Sequence, residues 1–163
     1  MKGDPDVMKG LQEAITILAS LEAQYSLDGL DVKRLGLDLG DGLSKLADQC
    51  EEQKECLLIR LLFLDGGAPV VTPPPAATHS KVGDILADAT KAELAAVARF
   101  RALGKQAWDA DDLSNSHYYQ HLCKWHEVGD DKYKGHLAWL QQQSSLFGTL
   151  GDKDYIAVNA VKG

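Results

Sequence analysis

Methionine is almost missing from this 163-residue chain: Met1 and Met8 are the only two. Cysteine is scarce as well. Cys50, Cys56 and Cys123 are odd in number and have no CxxC spacing, so they make neither a disulfide framework nor a thiol metal knuckle, and a reduced, cytoplasmic setting is expected. No Lys/Arg cluster stands out, and the net charge of -7 argues against nucleic acid or anionic lipid as a main partner. Long apolar runs are lacking too. The longest, Leu57 to Leu64, is broken by Arg60 and falls far short of the roughly 20 residues that cross a bilayer. No charged-then-apolar leader follows Met1, so secretion is not expected. Proline is confined: four of the five lie in residues 66 to 81, GGAPVVTPPPAATHSK, which cannot be helix.

What is present is helical periodicity. Asp4-Pro5 is a helix start, with a side-chain acceptor at the cap and then a residue whose missing N–H would be unpaired there anyway. Val7, Leu11, Ala14, Ile15, Leu18, Leu21 and Tyr25 follow at spacings of three and four, predicting a helix over 5–34. Leu43, Leu46, Ala47, Cys50, Leu57, Leu61 and Leu64 predict a second over 41–65, closed by Gly66-Gly67. A third runs over 82–108 and carries Glu93 among its apolar positions. The fourth, over 113–147, is interrupted near Val128-Gly129-Asp130-Asp131, and a short helix is expected over 152–160. The proline-rich stretch then serves as an extended crossover that lets the third helix run parallel to the second. The expected architecture is one all-α domain, a four-helix bundle with one long crossover between helices 2 and 3 and a short C-terminal helix.

Five stretches carry a family resemblance. The opening MKGDPDVMKGLQEAI, the pair Gln24-Tyr25, RLLFLDGG at Arg60 to Gly67, VGDILADATKAEL at Val82 to Leu94, and GHLAWL at Gly135 to Leu140 resemble bacterioferritin, and the tail around Leu150-Gly151 and Tyr155 fits as well. The resemblance covers nearly the whole chain and makes the bundle ferritin-like. It implies a cytoplasmic shell of 24 subunits that oxidises Fe(II) at an intrasubunit di-iron centre, stores ferric mineral and binds haem at dimer interfaces. It also implies one Glu from each of two helices and a Glu-x-x-His pair from each of the other two.

On that pattern Glu93 and His136 occupy ligand positions, while Leu18 stands where the first helix should supply its glutamate. The second helix is ambiguous by one residue. One register puts Cys50 and Gln53 at ligand positions; the other puts Glu51 and Lys54 there, with the Lys54 ammonium among Glu51 and Glu93. The fourth helix needs about seven extra residues between its family-like ends, close to two helical turns. Counted from the third helix, His126 falls at a ligand position; counted back from His136, Tyr133 does. The candidate metal residues are therefore Glu93, His136, Tyr133, Glu51 and His126, either as a residual mononuclear site or as a buried polar pair satisfied by hydrogen bonds. Iron is the metal that the resemblance implies. Haem held by a methionine on the second helix is not expected, because that helix has none.

Three readings follow. The first is an iron-storage shell subunit without a standard di-iron centre, structural or mineral-supporting, forming a homo-oligomer or co-assembling with an active bacterioferritin-type subunit. The second is a ferroxidase working through an altered site. The third is a ferritin-fold binding or assembly protein with the insertion near Gly129 as its new surface.

Overall fold

A computed structural model describes residues 3–34, 38–69, 71–79 and 81–147. The expected helix over 152–160 and the tail motif at Leu150-Gly151 and Tyr155 lie outside these residues. Five helices are present: α1 Pro5–Arg34, α2 Leu39–Phe63, α3 Val82–Asp109, α4 Leu113–Glu127 and α5 His136–Phe147. α1 starts where its cap chemistry placed it, with Asp4 Oδ1 accepting from the backbone N–H groups of Asp6 (2.9 Å) and Val7 (3.2 Å). Asp112 caps α4 in the same way, accepting from the Asn115 N–H at 3.0 Å.

The helices pair as two hairpins, α1 with α2 and α3 with α4 and α5. The direction of the crossover can be followed through its contacts. It leaves α2 at Leu64, whose carbonyl accepts from the N–H of Gly3 at the start of α1. It arrives at Ala77, held on both its N–H and its carbonyl by Gln24 at 2.8 Å, and at His79, which bridges Asp28 of α1 (3.0 Å) and Asp88 of α3 (2.9 Å). The segment thus runs most of the length of α1, a helix of about 45 Å at 1.5 Å per residue. α3 begins at the end of the bundle where α2 also began, and so lies parallel to it. The Arg99–Glu13 ion pair and the Gln106–Asp6 hydrogen bond confirm that α3 returns antiparallel to α1. The apolar stripes meet in one core, in which Leu11, Leu18, Leu43, Leu46, Leu57, Leu61, Phe100, Leu122 and Leu140 are fully buried. Among the described residues, no helix is long and apolar enough to cross a membrane.

The fourth helix is broken more fully than its sequence suggests. In place of a local interruption at 128–131, α4 ends at Glu127 and α5 starts at His136, with 128–135 folded outward as a small hairpin. An isolated antiparallel bridge joins Gly129 to Lys134, and the Asp130 N–H donates to the Tyr133 carbonyl at 2.8 Å. Asp130 Oδ1 takes the N–H groups of Lys132 and Tyr133, both at 2.9 Å, while its other oxygen accepts from the Trp125 indole at 2.8 Å. Two glycines make this closure possible. Gly129 sits at φ +75, and a Cβ there would come within 2.3 Å of the Gly135 N and the Tyr133 carbonyl oxygen. A Cβ on Gly135 would meet the Val128 backbone at the same distance.

Candidate functional site

Polar side chains are rare in the bundle core, and four of them, Gln53, Glu93, His126 and His136, converge. Among the described residues Asp28 and Glu93 are the only buried carboxylates, and Glu93, Gln53, His126 and His136 have no solvent exposure. Glu93 comes from the middle of α3 and lies at the centre of the cluster. His126, in the last turn of α4, presents Nδ1 to Glu93 Oε2 at 2.7 Å. His136, the first residue of α5, presents Nδ1 to Glu93 Oε1 at 2.7 Å. From α1 the Tyr25 hydroxyl donates to the same Oε1 at 2.5 Å. The outward hairpin makes this possible: His126 and His136 are ten positions apart in the chain, yet their ring centroids are 4.3 Å apart. A continuous helix would carry His136 about 15 Å along the axis from His126.

The far sides of both rings face α2. His126 Nε2 lies 2.7 Å from Gln53 Oε1. The Gln49 amide, oriented with its nitrogen toward the ring, donates to His136 Nε2 at 2.9 Å and to the Lys134 carbonyl at 3.2 Å. That arrangement makes His136 a neutral ring that donates from Nδ1 and accepts at Nε2. Both nitrogens of His126 face acceptor oxygens. Cys50 belongs to the same α2 face, and ligand atoms of Cys50, His126 and His136 all lie within 4.8 Å of one another.

Electrostatics follow from burial and from these contacts. Burial pushes the Glu93 carboxyl up, but the charges and hydrogen bonds of His126 and His136 outweigh it and hold Glu93 well below the usual carboxylate range, so it is ionised. Burial drives His136 below the ordinary histidine value, with Glu93 opposing and His126 adding to the fall. Tyr25 is raised by burial and then by the Glu93 charge, which keeps it a donor. The Cys50 thiol is raised by burial and then by Glu93 and Glu22, with Lys54 opposing. One polar atom of the cluster is unmet: Gln53 Nε2 is buried without a hydrogen-bond partner.

The structure brings together Glu93, His136 and His126 and leaves out two other candidates. Glu51 is exposed on α2, because the helix turns Cys50 and Gln53 inward in its place. Of the two registers weighed for that helix, the core therefore receives Cys50 and Gln53. Lys54 pairs with Glu22 at the partly exposed edge of the bundle and does not sit among Glu51 and Glu93. Tyr133 is buried, but in the hairpin: its ring packs on Trp125 at 4.7 Å and beneath the Lys132 ammonium at 4.8 Å. An insertion that leaves the bundle takes Tyr133 out with it and lets His126 and His136 both point inward. Two members of the cluster, Tyr25 and Gln49, were missed as site residues. Tyr25 carried a signal, since a tyrosine at the end of a fully buried stripe needs a partner for its hydroxyl.

An all-α ferritin-like four-helix bundle, carrying a buried carboxylate–imidazole cluster at mid-length, is the class that fold and site define. Among solved structures the chain is similar to Rhodobacter capsulatus bacterioferritin, determined with a metal-free dinuclear site and haem iron, with a TM-score of 0.86 and 21% identity over 98% of this chain and 96% of that one. It is likewise similar to Mycobacterium tuberculosis bacterioferritin, BfrA, with a TM-score of 0.85 and 20% identity over the same shares of the two chains. At this identity the likeness establishes the fold: the chain has the fold of the bacterioferritins. No protein-family model matches the sequence, and no curated protein matches it either.

Proposed function

We propose that this chain is a ferritin-like subunit of an iron-storage shell whose bundle centre is not a standard di-iron ferroxidase site. The fold and its bacterioferritin neighbours support the storage role. The observation that carries the second half is the donor set. A pair of bridged irons needs several hard carboxylate oxygens projecting from all four helices. Here one carboxylate, Glu93, faces two imidazoles, an amide and a thiol, and both of its oxygens already accept hydrogen bonds from Tyr25, His126 and His136. Leu18, which the resemblance puts where the first helix would contribute its carboxylate, is fully buried. The residues present do not fit a di-iron pair.

On this reading the subunit builds or lines a shell, alone or beside a catalytically complete subunit, and iron is its cargo. The test is anaerobic titration of the metal-free protein with Fe(II), followed by oxygen. Oxidation no faster than in buffer is expected. Rapid, saturable oxygen uptake at about two irons per chain, the stoichiometry of a di-iron site, would overturn the reading in favour of a ferroxidase.

A further inference from the structure

We propose that Cys50, His126 and His136 form a mononuclear site for one zinc-class divalent cation, with Glu93 positioning the two imidazoles from behind. The three come from α2, α4 and α5 and are all buried, with ligand atoms within 4.8 Å of one another. Four-coordinate zinc with bonds of about 2.0–2.3 Å holds its ligand atoms roughly 3.3–3.7 Å apart, so adjustments of about 1–1.5 Å close the set. Two imidazoles and a thiolate are borderline-to-soft donors, which select this class of cation over magnesium or calcium.

The support around the rings is of the kind such sites use. A metal-binding histidine ordinarily donates its other ring N–H to a carboxylate, which fixes tautomer and orientation. Here one carboxylate serves both rings: the two oxygens of Glu93 each take an Nδ1–H at 2.7 Å, leaving both Nε2 atoms directed at α2, where Cys50 lies between Gln49 and Gln53. Charge also balances. A divalent cation, the Cys50 thiolate and the Glu93 carboxylate sum to zero, which a buried centre requires when it has no other charged partner. On binding, the cation displaces the proton of the Cys50 thiol, which leaves to solvent, and takes the Nε2 lone pair of each imidazole. Gln53 supplies a second, independent observation. It is fully buried three residues beyond Cys50, and its Nε2 has no partner. An N–H donor of this kind suits a thiolate or a metal-bound water.

This proposal does not depend on the storage reading, and its probe, Co(II) binding followed by absorption, is separate from iron oxidation. Co(II) added to the metal-free full chain, both folded and during refolding from urea, is expected to saturate at one equivalent, with the visible bands of tetrahedral cobalt and a near-ultraviolet thiolate-to-cobalt band. Cys50→Ser should lose the near-ultraviolet band, whereas Cys56→Ser and Cys123→Ser should keep it. Glu93→Gln should keep the band and weaken binding about 10–100-fold, as loss of a supporting carboxylate does. Absence of cobalt bands in the unmutated chain, retention of the near-ultraviolet band in Cys50→Ser, or its loss in Cys56→Ser or Cys123→Ser would each overturn the assignment.

Discussion

Glu93 is the residue on which the cluster turns, because among the described residues it is the one carboxylate with no solvent exposure at all. A carboxylate with no solvent exposure is tolerable only when its oxygens are fully engaged, and three donors from three helices do that. Removing it leaves imidazoles and a phenol buried without their acceptor. Glu93→Ala should therefore cost about 3–5 kcal/mol of stability, the range for breaking a buried charged pair from one side, measurable as a lowered urea midpoint. The pH dependence has a definite sign. His136 titrates below its ordinary value of 6.5 in the folded chain, so the unfolded chain takes up a proton first and stability falls as pH drops through that value. Glu93 is held below its ordinary value of 4.5, so its contribution is complete above that value and is lost as pH falls beneath it. Two successive losses are expected in urea midpoints recorded from neutral pH to about 3.5, a range that brackets the ordinary histidine and glutamate values. In Glu93→Ala the lower one should disappear.

At the scale of elements, the outward hairpin at 128–135 decides whether the cluster exists. It acts as a spacer that is looped out, so that the last turn of α4 and the first turn of α5 present their histidines to the same carboxylate. Its closure leaves no room at Gly129 or Gly135, where a Cβ would lie within 2.3 Å of backbone atoms across the hairpin. Gly129→Ala would also place alanine at φ +75, which side-chain-bearing residues rarely adopt. A loss of roughly 1–3 kcal/mol is expected from the backbone strain alone, together with displacement of His126 and His136. NMR of the histidine side chains should then show their hydrogen-bonded Nδ1–H signals broadened or gone. Unchanged ring signals in Gly129→Ala would mean that the hairpin does not set the site. The crossover is held by different chemistry, with the Gln24 amide clasping Ala77 and His79 spanning Asp28 and Asp88. A proline-rich segment with few backbone donors is thereby docked through side chains of the helices it passes.

For the whole molecule, the described surface keeps large apolar side chains that the bundle itself leaves uncovered. Ile59, Leu62 and Phe63 on the last turns of α2 are 67%, 56% and 68% exposed, and Leu113 at the start of α4 is 54% exposed. Ile59, Phe63 and Leu113 line one groove together with Asp4 and Arg60. Exposed apolar surface concentrated in this way is what the proposed shell would cover. Light scattering is expected to give a mass many times that of one chain. The double variant Ile59→Asp, Phe63→Asp should shift it toward small species while leaving the circular dichroism helical. An unmutated chain that runs as a monomer at micromolar concentration would count against the shell.

Much of the bundle was legible in the chain because helical periodicity and capping act locally. The stripe from Val7 to Tyr25, the Asp4 cap and the proline-rich break each report their structure through neighbours three or four residues away. Glu93 and His136 came to notice by another route, the resemblance of the runs around them to bacterioferritin, and the fold brings both into the buried cluster. What only the tertiary structure decided depends on rotation and on contacts distant in sequence. A one-residue shift in α2 exchanges Cys50 and Gln53 for Glu51 and Lys54 at the core, and packing against the other helices selects the first pair because it leaves Glu51 in water. Whether His126 or Tyr133 would face Glu93 could not follow from counting residues. The answer lies in a hairpin held by Asp130 and two glycines, which takes Tyr133 out to Trp125 and lets both histidines turn inward.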